Sequence, residues 1–193
     1  MEMEICGIDE AGRGPIAGPL VIAGCVLFKD IKGLKDSKKL SPKKREELYE
    51  EIIENSIYHI EMIYPETIDK KGLSYSIKYG LKKVIENIKA KRYLFDGNTN
   101  FGIKKIEPII KGDTKIKEIS AASILAKVRR DRFMIDIDMA YPYNFKKHKG
   151  YITKEHIEEI KKYGLSPMHR KSYKLKALNK ENNWKKLLFF LLF

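Results

Sequence analysis

The feature that most constrains the fold is a pair of apolar segments near the start of the chain, joined by a short glycine-rich stretch. Met3 to Ile8 and Leu20 to Phe28 ("LVIAGCVLF") have the length and residue types of buried β-strands. Because the stretch between them is short and rich in glycine, we expect the two strands to pair as a hairpin.

The rest of the chain alternates helical and strand-like patterns. Ser41 and Pro42 provide a hydroxyl cap and a proline at the first helical position, so a helix should run from there to about Asn55. The later expected elements are strands at Ile57–Tyr64, Arg92–Asp96 and Ile106–Ile110, and helices at Ser74–Ile88, Ile119–Met139 and Thr153–Gly164. This order predicts an α/β domain with a mixed sheet.

Composition limits the class of protein. The chain has 193 residues, with 39 lysines and arginines against 26 acidic residues, a formal net charge of +13. A surplus of this size favours an anionic partner, with nucleic acid the leading candidate, although a generally basic proteome would give the same excess. We expect residues 1–173 to form one catalytic domain and residues 174–193 a basic, then apolar, tail.

Two cysteines and the N-terminus bear on location. Cys6 and Cys25 fall on expected strands, so buried reduced thiols are favoured over a strained disulfide. The first residues, "MEMEICGIDE", contain no apolar signal segment, and no run reaches the ~18 apolar residues of a membrane span. We therefore expect a soluble, cytoplasmic protein.

Four acids stand out by position. Asp9 and Glu10 end the first strand, Asp96 ends a central strand, and Asp113 precedes the long helix. Ligands bind at the ends of strands on one side of an α/β sheet, and clustered carboxylates repel one another unless cations neutralise them. Their hard oxygen ligands suit Mg²⁺ or Mn²⁺. The alternative is ordinary turn capping, since Asp96-Gly97 is a common turn dipeptide.

Basic, small and aromatic residues near these acids are candidates for contacting nucleic acid. The hydroxyl and amino groups among them suit phosphate oxygens, and a loop tyrosine can stack on a sugar or base. The candidates are Gly12, Arg13, Gly14, Lys38, Ser120, Ser123, Lys127 and Tyr151. Small-residue packing, solvated charges and partial burial of the tyrosine are the alternatives. His59 and His156 are expected to be structural or solvated, and His148 and His169 receive no role.

Seven segments in fixed order give the chain a family resemblance. They are "GIDEAGRGPIAGP", "LKDSKKLS", "FDGN", "KGD", "SAASILAKVRRDRFM", "HKGYITKEH" and "SPMHRKSY", spread over Ile5 to Tyr173. The set resembles type 2 ribonuclease H, ribonuclease HII, in its shorter bacterial form. The resemblance implies a ribonuclease H-like mixed sheet flanked by helices, with a small helical C-terminal part.

The same resemblance implies a function. It implies a metal-dependent endonuclease that cleaves the RNA strand of RNA–DNA hybrids and cuts 5′ of ribonucleotides embedded in duplex DNA, leaving 3′-hydroxyl and 5′-phosphate ends. The four acids would bind two divalent cations, Mg²⁺ or Mn²⁺, ~4 Å apart. Gly12, Arg13 and Gly14 would sense the ribose 2′-hydroxyl, Tyr151 would contact the sugar at the RNA–DNA junction, and Asp131 would lie behind the metal ligands.

The tail beyond Tyr173 departs from the family pattern. Its end, "NWKKLLFFLLF", is too short to cross a bilayer and too apolar to remain solvated. We expect Trp184, Leu187, Leu188, Phe190 and Leu191 to pack on the domain as a terminal helix. The alternative is docking on a partner such as a replication clamp. A monomer is the expected oligomeric state.

Overall fold

A five-stranded mixed sheet forms the centre of the computed structural model, which describes residues 3–34 and 40–173. The strands lie in the order β3-β2-β1-β4-β5, so that the N-terminal strand occupies the middle of the sheet. Their bounds are β1 Met3–Ala11, β2 Leu20–Leu27, β3 Ser56–Ile63, β4 Ala90–Asp96 and β5 Ile106–Ile109. The predicted α/β class with a mixed sheet is confirmed.

Helices cover both faces of this sheet. Their bounds are α1 Pro42–Glu54, α2 Pro65–Lys71, α3 Leu73–Asn87, α4 Lys117–Asp136, α5 Phe145–His148 and α6 Lys154–Tyr163, with short 3₁₀ turns at Gly112–Thr114 and Asp138–Ala140. None of the helices described is long and apolar enough to cross a membrane. The candidate Lys38 and the whole tail, from Trp184 to Leu191 included, lie outside the described residues.

Strand pairing confirms the N-terminal hairpin and extends its first strand. β1 pairs antiparallel with β2, and β2 pairs antiparallel with β3, while β1–β4 and β4–β5 are parallel. The ladder continues past the apolar run Met3 to Ile8, through the two acids expected at the end of this strand, to Ala11 opposite Val21. Asp9 and Glu10 are therefore held by strand pairing rather than by a loop.

Two apolar layers place the helices. On one face, α3 buries Ile77, Leu81 and Val84 against Ile8 and Phe95 of the sheet. On the other face, residues of α1 and α4 pack against β2. A Cβ atom at Gly7 would lie 2.1 Å from the carbonyl carbon of Glu118, so the glycine lets α4 approach β1 at backbone distance.

Local signals at helix ends are also confirmed. The Ser41 hydroxyl accepts the Lys44 amide at 3.2 Å, and the Thr153 hydroxyl accepts the His156 amide at 3.1 Å. Gly164, with φ of 83°, follows the last residue of α6. The expected span Ile119–Met139 is wrong at both ends, since α4 begins at Lys117 and ends at Asp136.

The C-terminal part packs on the loop that joins β1 to β2. Ile16 and Ala17 of this loop form a third apolar cluster with Met134, Phe145 and Ile160. This cluster fixes the β1–β2 loop against α5 and α6. Cys6 and Cys25 are free and buried, as expected, and burial raises the pKa of the Cys25 thiol to about 12.

Candidate active site

Parallel pairing of β1 and β4 brings two of the four predicted acids side by side. Ile8 is in register with Phe95, so Asp9 and Asp96 occupy the next positions on neighbouring strands. Both lie at the carboxyl ends of their strands, where α/β sheets bind ligands. The edge continues to β5, because Asp96 is in register with Ile109.

Asp9 is a buried acid among other acids. Its side chain is 5% exposed, and the Ser123 hydroxyl on α4 donates a hydrogen bond to it. Burial raises the pKa of Asp9 well above its usual range, and the neighbouring carboxylates of Glu10 and Asp96 raise it further. Both carboxylates therefore lie close enough to Asp9 to disfavour its ionised form.

Asp96 is bonded to the turn before α4, which carries Asp113. The amide of Gly112 donates to Asp96 Oδ1 at 2.9 Å. This bond ties the end of β4 to the 3₁₀ turn Gly112–Thr114, which carries Asp113 at 3% exposure. Asp113, the fourth predicted acid, is thus buried and directly follows the residue whose amide donates to Asp96.

Glu10 points toward the glycine-rich loop. Its Oε1 lies 2.7 Å from Nε of Arg13, whose side chain is 41% exposed. Gly12 has φ of 96°, and a Cβ there would lie 2.4 Å from Nε of Arg130. At Gly14, by contrast, no heavy atom of the described residues lies within 4 Å of a Cβ position. Packing against Arg130 thus requires glycine at position 12, whereas the space beside Gly14 is open among the described residues.

Tyr151 presents a half-exposed ring above two cations. Its ring centroid lies 6.0 Å from Nζ of Lys127 and 5.6 Å from the guanidinium carbon of Arg130. Lys127 is itself paired with Asp131 at 2.8 Å. The predicted residues Lys127, Asp131 and Tyr151 therefore belong to one group, in which Asp131 contacts the lysine.

The loop that carries Tyr151 is bound to the loop that carries the glycines. The carbonyl oxygen of Gly150 accepts the amides of Ile16 at 2.9 Å and Ala17 at 3.2 Å. Gly150 has φ of 78°, and a Cβ there would lie 2.2 Å from the Ala17 carbonyl oxygen. Only glycine fits this contact, which couples the two predicted substrate loops.

Ser120, a predicted phosphate contact, is buried and bonded to the backbone. It is 2% exposed, and its hydroxyl donates to the carbonyl oxygen of Leu34. Ser120 therefore anchors the segment that precedes α1, whereas Ser123 reaches Asp9. The two serines of α4 face different partners.

Two buried arginines are structural elements that the sequence reasoning missed. Arg130 donates to the carbonyl oxygens of Pro19, Ala17 and Lys149 at 2.9–3.1 Å. Arg170 donates to the carbonyls of Gly18 and Arg13. They join the glycine-rich loop to the C-terminal part, and their only sequence signal was membership of the quoted motifs.

The acids suit a divalent cation in the type of ligand atom they offer, although their side chains are not gathered around one point. Across residues 3–34 and 40–173, no three His, Cys, Asp or Glu side chains are already gathered closely enough to hold a metal ion. Glu10 and Asp96 are instead directed toward Arg13 and the Gly112 amide. Carboxylate oxygens are the hard ligands that Mg²⁺ and Mn²⁺ prefer, and a bound cation would relieve the repulsion between the acids.

Comparison with solved structures defines the class. The ribonuclease HII of Archaeoglobus fulgidus, solved in a PCNA:RNase HII complex, is 28% identical with a TM-score of 0.76, covering 93% of this chain and all of that one. The ribonuclease H2 of Pyrococcus horikoshii OT3 is 30% identical with a TM-score of 0.74, covering 95% and 100%. Fold and carboxylates together define a hydrolase of the ribonuclease H type.

Sequence relatives define the family. The family model described as Ribonuclease HII matches residues 6–176. The ribonuclease HII of Aliarcobacter butzleri is 58% identical over 90% of this chain and 92% of its own, and that of Sulfurovum sp. is 51% identical over 91% and 94%. The chain belongs to the ribonuclease HII family, in its bacterial form, as the sequence motifs predicted. It is an endoribonuclease of RNA–DNA hybrids, in a family that depends on divalent metal ions.

Proposed function

We propose that this enzyme also cuts duplex DNA on the 5′ side of single embedded ribonucleotides, leaving 3′-hydroxyl and 5′-phosphate ends. We propose further that Asp9, Glu10, Asp96 and Asp113 hold two divalent cations, Mg²⁺ or Mn²⁺. The observation that carries the proposal is the adjacency of Asp9 and Asp96 on parallel strands, with Glu10 beside them.

The electrostatics of the acids support metal binding. Asp9 is buried against two like charges, which raises its pKa and makes its ionised form costly without a counter-charge. Bound divalent cations supply that charge, activate water and stabilise the leaving oxygen. The Ser123 hydroxyl orients Asp9, and the Gly112 amide orients Asp96, so both carboxylates face the strand edge in fixed positions.

The glycine-rich loop supports recognition of the ribose. A 2′-hydroxyl is what distinguishes a ribonucleotide from its deoxy neighbours, and both present the same phosphate. Arg13 follows Glu10 by three residues. The open space beside Gly14 leaves room for a nucleic-acid strand to approach the backbone amides of the loop. A lost hydrogen bond to that hydroxyl typically costs ~1–3 kcal/mol.

The position of Tyr151 supports a contact with the deoxyribose that follows the ribonucleotide. Its ring is 44% exposed and is backed by Lys127 and Arg130, a platform typical of sugar or base stacking. The formal charge of +13 supplies affinity for phosphates without sequence information. Stacking would set the scissile phosphate in line for attack.

The decisive experiment is cleavage of duplex DNA that contains one ribonucleotide, with and without Mg²⁺. We expect a single cut 5′ of the ribonucleotide in Mg²⁺, a downstream fragment that polynucleotide kinase labels only after a phosphatase has removed its 5′-phosphate, and no cut in EDTA. An all-DNA duplex of the same sequence is the matched control. Cleavage of that control, or no cleavage of the ribonucleotide substrate while a long hybrid is cut, would refute the proposal.

The variant Tyr151→Ala separates the two substrates. We expect it to lose more activity on one embedded ribonucleotide than on a long hybrid, with unchanged metal dependence. Tyr151→Phe should retain most activity if stacking is what matters. Equal losses on both substrates by folded Tyr151→Ala would remove the proposed role of this residue.

A further inference from the structure

Three buried histidines lie directly behind the loop that carries Tyr151. His148 at the end of α5, His156 on α6 and His169 beyond α6 are 5%, 0% and 2% exposed. The rings of His148 and His156 stack with centroids 4.0 Å apart. Nε2 of His156 lies 3.0 Å from Nε2 of His169. Three residues from separate elements of the C-terminal part thus form one contiguous cluster of imidazoles.

Backbone groups at its two ends fix the direction of this cluster. The amide of Ser166 donates to Nδ1 of His169 at 3.0 Å, and the Ser166 hydroxyl lies 2.8 Å from the same nitrogen, where it can donate as well; we therefore assign the proton of neutral His169 to Nε2. His169 Nε2 therefore donates to Nε2 of His156. His156 must then carry its proton on Nδ1, which lies 3.0 Å from the Tyr151 carbonyl oxygen and donates to it.

The third histidine is fixed in the same way. The amide of Gly150 donates to Nδ1 of His148 at 3.2 Å, so the proton lies on Nε2, which donates to Glu159 at 3.0 Å. Burial lowers the pKa of His156 to about 4 and that of His169 to about 3. Protonation of His156 would set two N–H groups against each other at its 3.0 Å contact with His169, and protonation of His169 would set an Nδ1–H against the Ser166 amide.

The cluster controls the backbone on both sides of Tyr151. The carbonyl of Tyr151 is held by His156, and its amide donates to the carbonyl of His148 at 2.9 Å. Immediately before it, Gly150 bonds both His148 and the β1–β2 loop. The exposed ring therefore projects from a backbone whose polar groups are all tied to buried partners.

We propose that His156 and His169 are positioning residues for Tyr151, forming a directional hydrogen-bonded chain from the Ser166 amide to the Tyr151 carbonyl that holds the ring in place for substrate. This function rests on the role proposed above for Tyr151. Neither histidine touches the nucleic acid; each acts through the loop. The chain operates only with both rings neutral and in opposite tautomers.

The tautomers can be observed without any activity measurement. In protein carrying ¹⁵N-labelled histidine, long-range ¹H–¹⁵N correlation spectra distinguish protonation at Nδ1 from protonation at Nε2. At pH 7 we expect His156 as the Nδ1–H form, and His148 and His169 as Nε2–H forms, with assignments from single substitutions. A His156 signal of the Nε2–H form, or a charged His156 or His169, would overturn the chain.

Kinetics test whether the chain acts through Tyr151. His156→Leu should lower the single-turnover rate on one embedded ribonucleotide about 10-fold and on a long hybrid less than about 3-fold, because a displaced ring costs rate where registration depends on it. Ile160→Ala is the matched control, since Ile160 is a buried residue of the same helix in the neighbouring apolar cluster. It should lower the melting temperature without changing the ratio of the two rates.

Two further variants complete the test. In a Tyr151→Ala background, adding His156→Leu should change either rate less than about 2-fold, because the two residues act as a unit. His156→Asn keeps a donor near the Nδ1 position and should restore the substrate ratio while the melting temperature stays low. An unchanged ratio in His156→Leu, or the same change in Ile160→Ala, would overturn the positioning role.

The two proposals fail in distinguishable ways. If Tyr151→Ala cuts both substrates at wild-type rates, the role of Tyr151 and the positioning function fall together, whereas the spectrum still reports the tautomers. If Tyr151→Ala is selective but His156→Leu is not, only the positioning role falls.

Discussion

The substitution Gly14→Ala should separate substrate recognition from stability. In the part of the chain that the structure describes, a Cβ at this exposed position meets no atom within 4 Å, and its φ lies outside the left-handed region. The folded protein accepts the methyl group, while the unfolded chain loses freedom, which stabilises by ~0.4–1 kcal/mol. For a domain of this size the melting temperature should rise by about 1–4 °C.

Cleavage should move in the opposite direction. The methyl group would stand in the space through which we propose the ribose approaches the backbone, and a displacement of about 1 Å can cost on the order of 100-fold in rate. Single-turnover cleavage of a duplex with one ribonucleotide, read beside a thermal melt, measures both effects. We expect at least a 10-fold slower cut with no loss of stability.

Gly12→Ala is the matched control, two residues away. With φ of 96°, alanine is strained by ~1–2 kcal/mol. Its Cβ would also displace Arg130, which donates charge-assisted hydrogen bonds to the carbonyls of Pro19 and Ala17. Weakening these bonds should lower the free energy of unfolding by ~1.5–3 kcal/mol, a figure that includes the cost of the buried groups left without a partner. The sum, about 3–5 kcal/mol, should lower the melting temperature by about 6–20 °C.

The pair of variants makes the reasoning refutable at two points. Wild-type cleavage by Gly14→Ala would show that no part of the substrate passes that position. A fall in its melting temperature, comparable with that of Gly12→Ala, would show that the space beside Gly14 is filled by the protein itself.

Four other predictions follow from charge, burial and the tail. Asp96→Asn should abolish cleavage yet keep hybrid binding intact or tighter, because the amide no longer attracts cations or repels phosphate; near-normal turnover in Mg²⁺ would contradict the metal-carboxylate proposal. The logarithm of hybrid affinity should fall steeply against the logarithm of salt concentration, and a flat line would exclude the basic surface as the binding face. Burial lowers the pKa of His156 to about 4, whereas histidine in the unfolded chain titrates near 6.5. As the pH falls, the unfolded chain therefore takes up the proton first. The free energy of unfolding should fall by on the order of 3 kcal/mol between pH 6.5 and pH 4. His148, Glu159, His169 and Tyr143 face this ring, and a melting profile identical in His156→Leu would refute the assignment. Deleting Lys185 to Phe193 should lower the melting temperature if the tail packs on the domain, and unchanged stability and activity would instead favour a partner such as a replication clamp.

Local chemistry made much of the fold predictable. The Ser41-Pro42 start of α1 and the Thr153 and Gly164 ends of α6 depend on a few adjacent residues, and each lies where the sequence indicated. The helix α2 was missed, although Pro65 at its first turn and Gly72 after it are ordinary boundary signals. Seven residues are too few for periodicity to reveal.

Strand ends were less predictable, because hydrogen bonding to a neighbour decides them. The apolar run of the first strand stops at Ile8, and Asp9 and Glu10 were expected to be the end of that strand. Pairing with β2 carries it through Asp9 and Glu10 to Ala11, because β2 supplies backbone partners whatever the side chains are. Tertiary pairing outweighed the local signal.

The location of the acids could be predicted from the sequence, but the buried residues that hold the surrounding loops could not. Carboxylates that follow apolar runs can be placed at a sheet edge from sequence alone, and Asp9 and Asp96 do lie there. Arg130 was invisible because a charged residue on a helix is normally solvated, and only three carbonyls from distant loops make its burial tolerable. The histidine chain likewise depends on loops meeting in space.

The central position of β1 has a consequence for how the enzyme comes into being. Its hairpin with β2 is local, but Asp96 is synthesised 87 residues after Asp9, and β4 must insert beside a strand made long before it. Parallel pairing across such a separation is slow, because the intervening chain must be closed into a loop before any contact forms. A nascent or truncated chain that lacks β4 carries only half of the carboxylate pair, and if the two acids bind metal as we propose, we expect no nuclease activity from it.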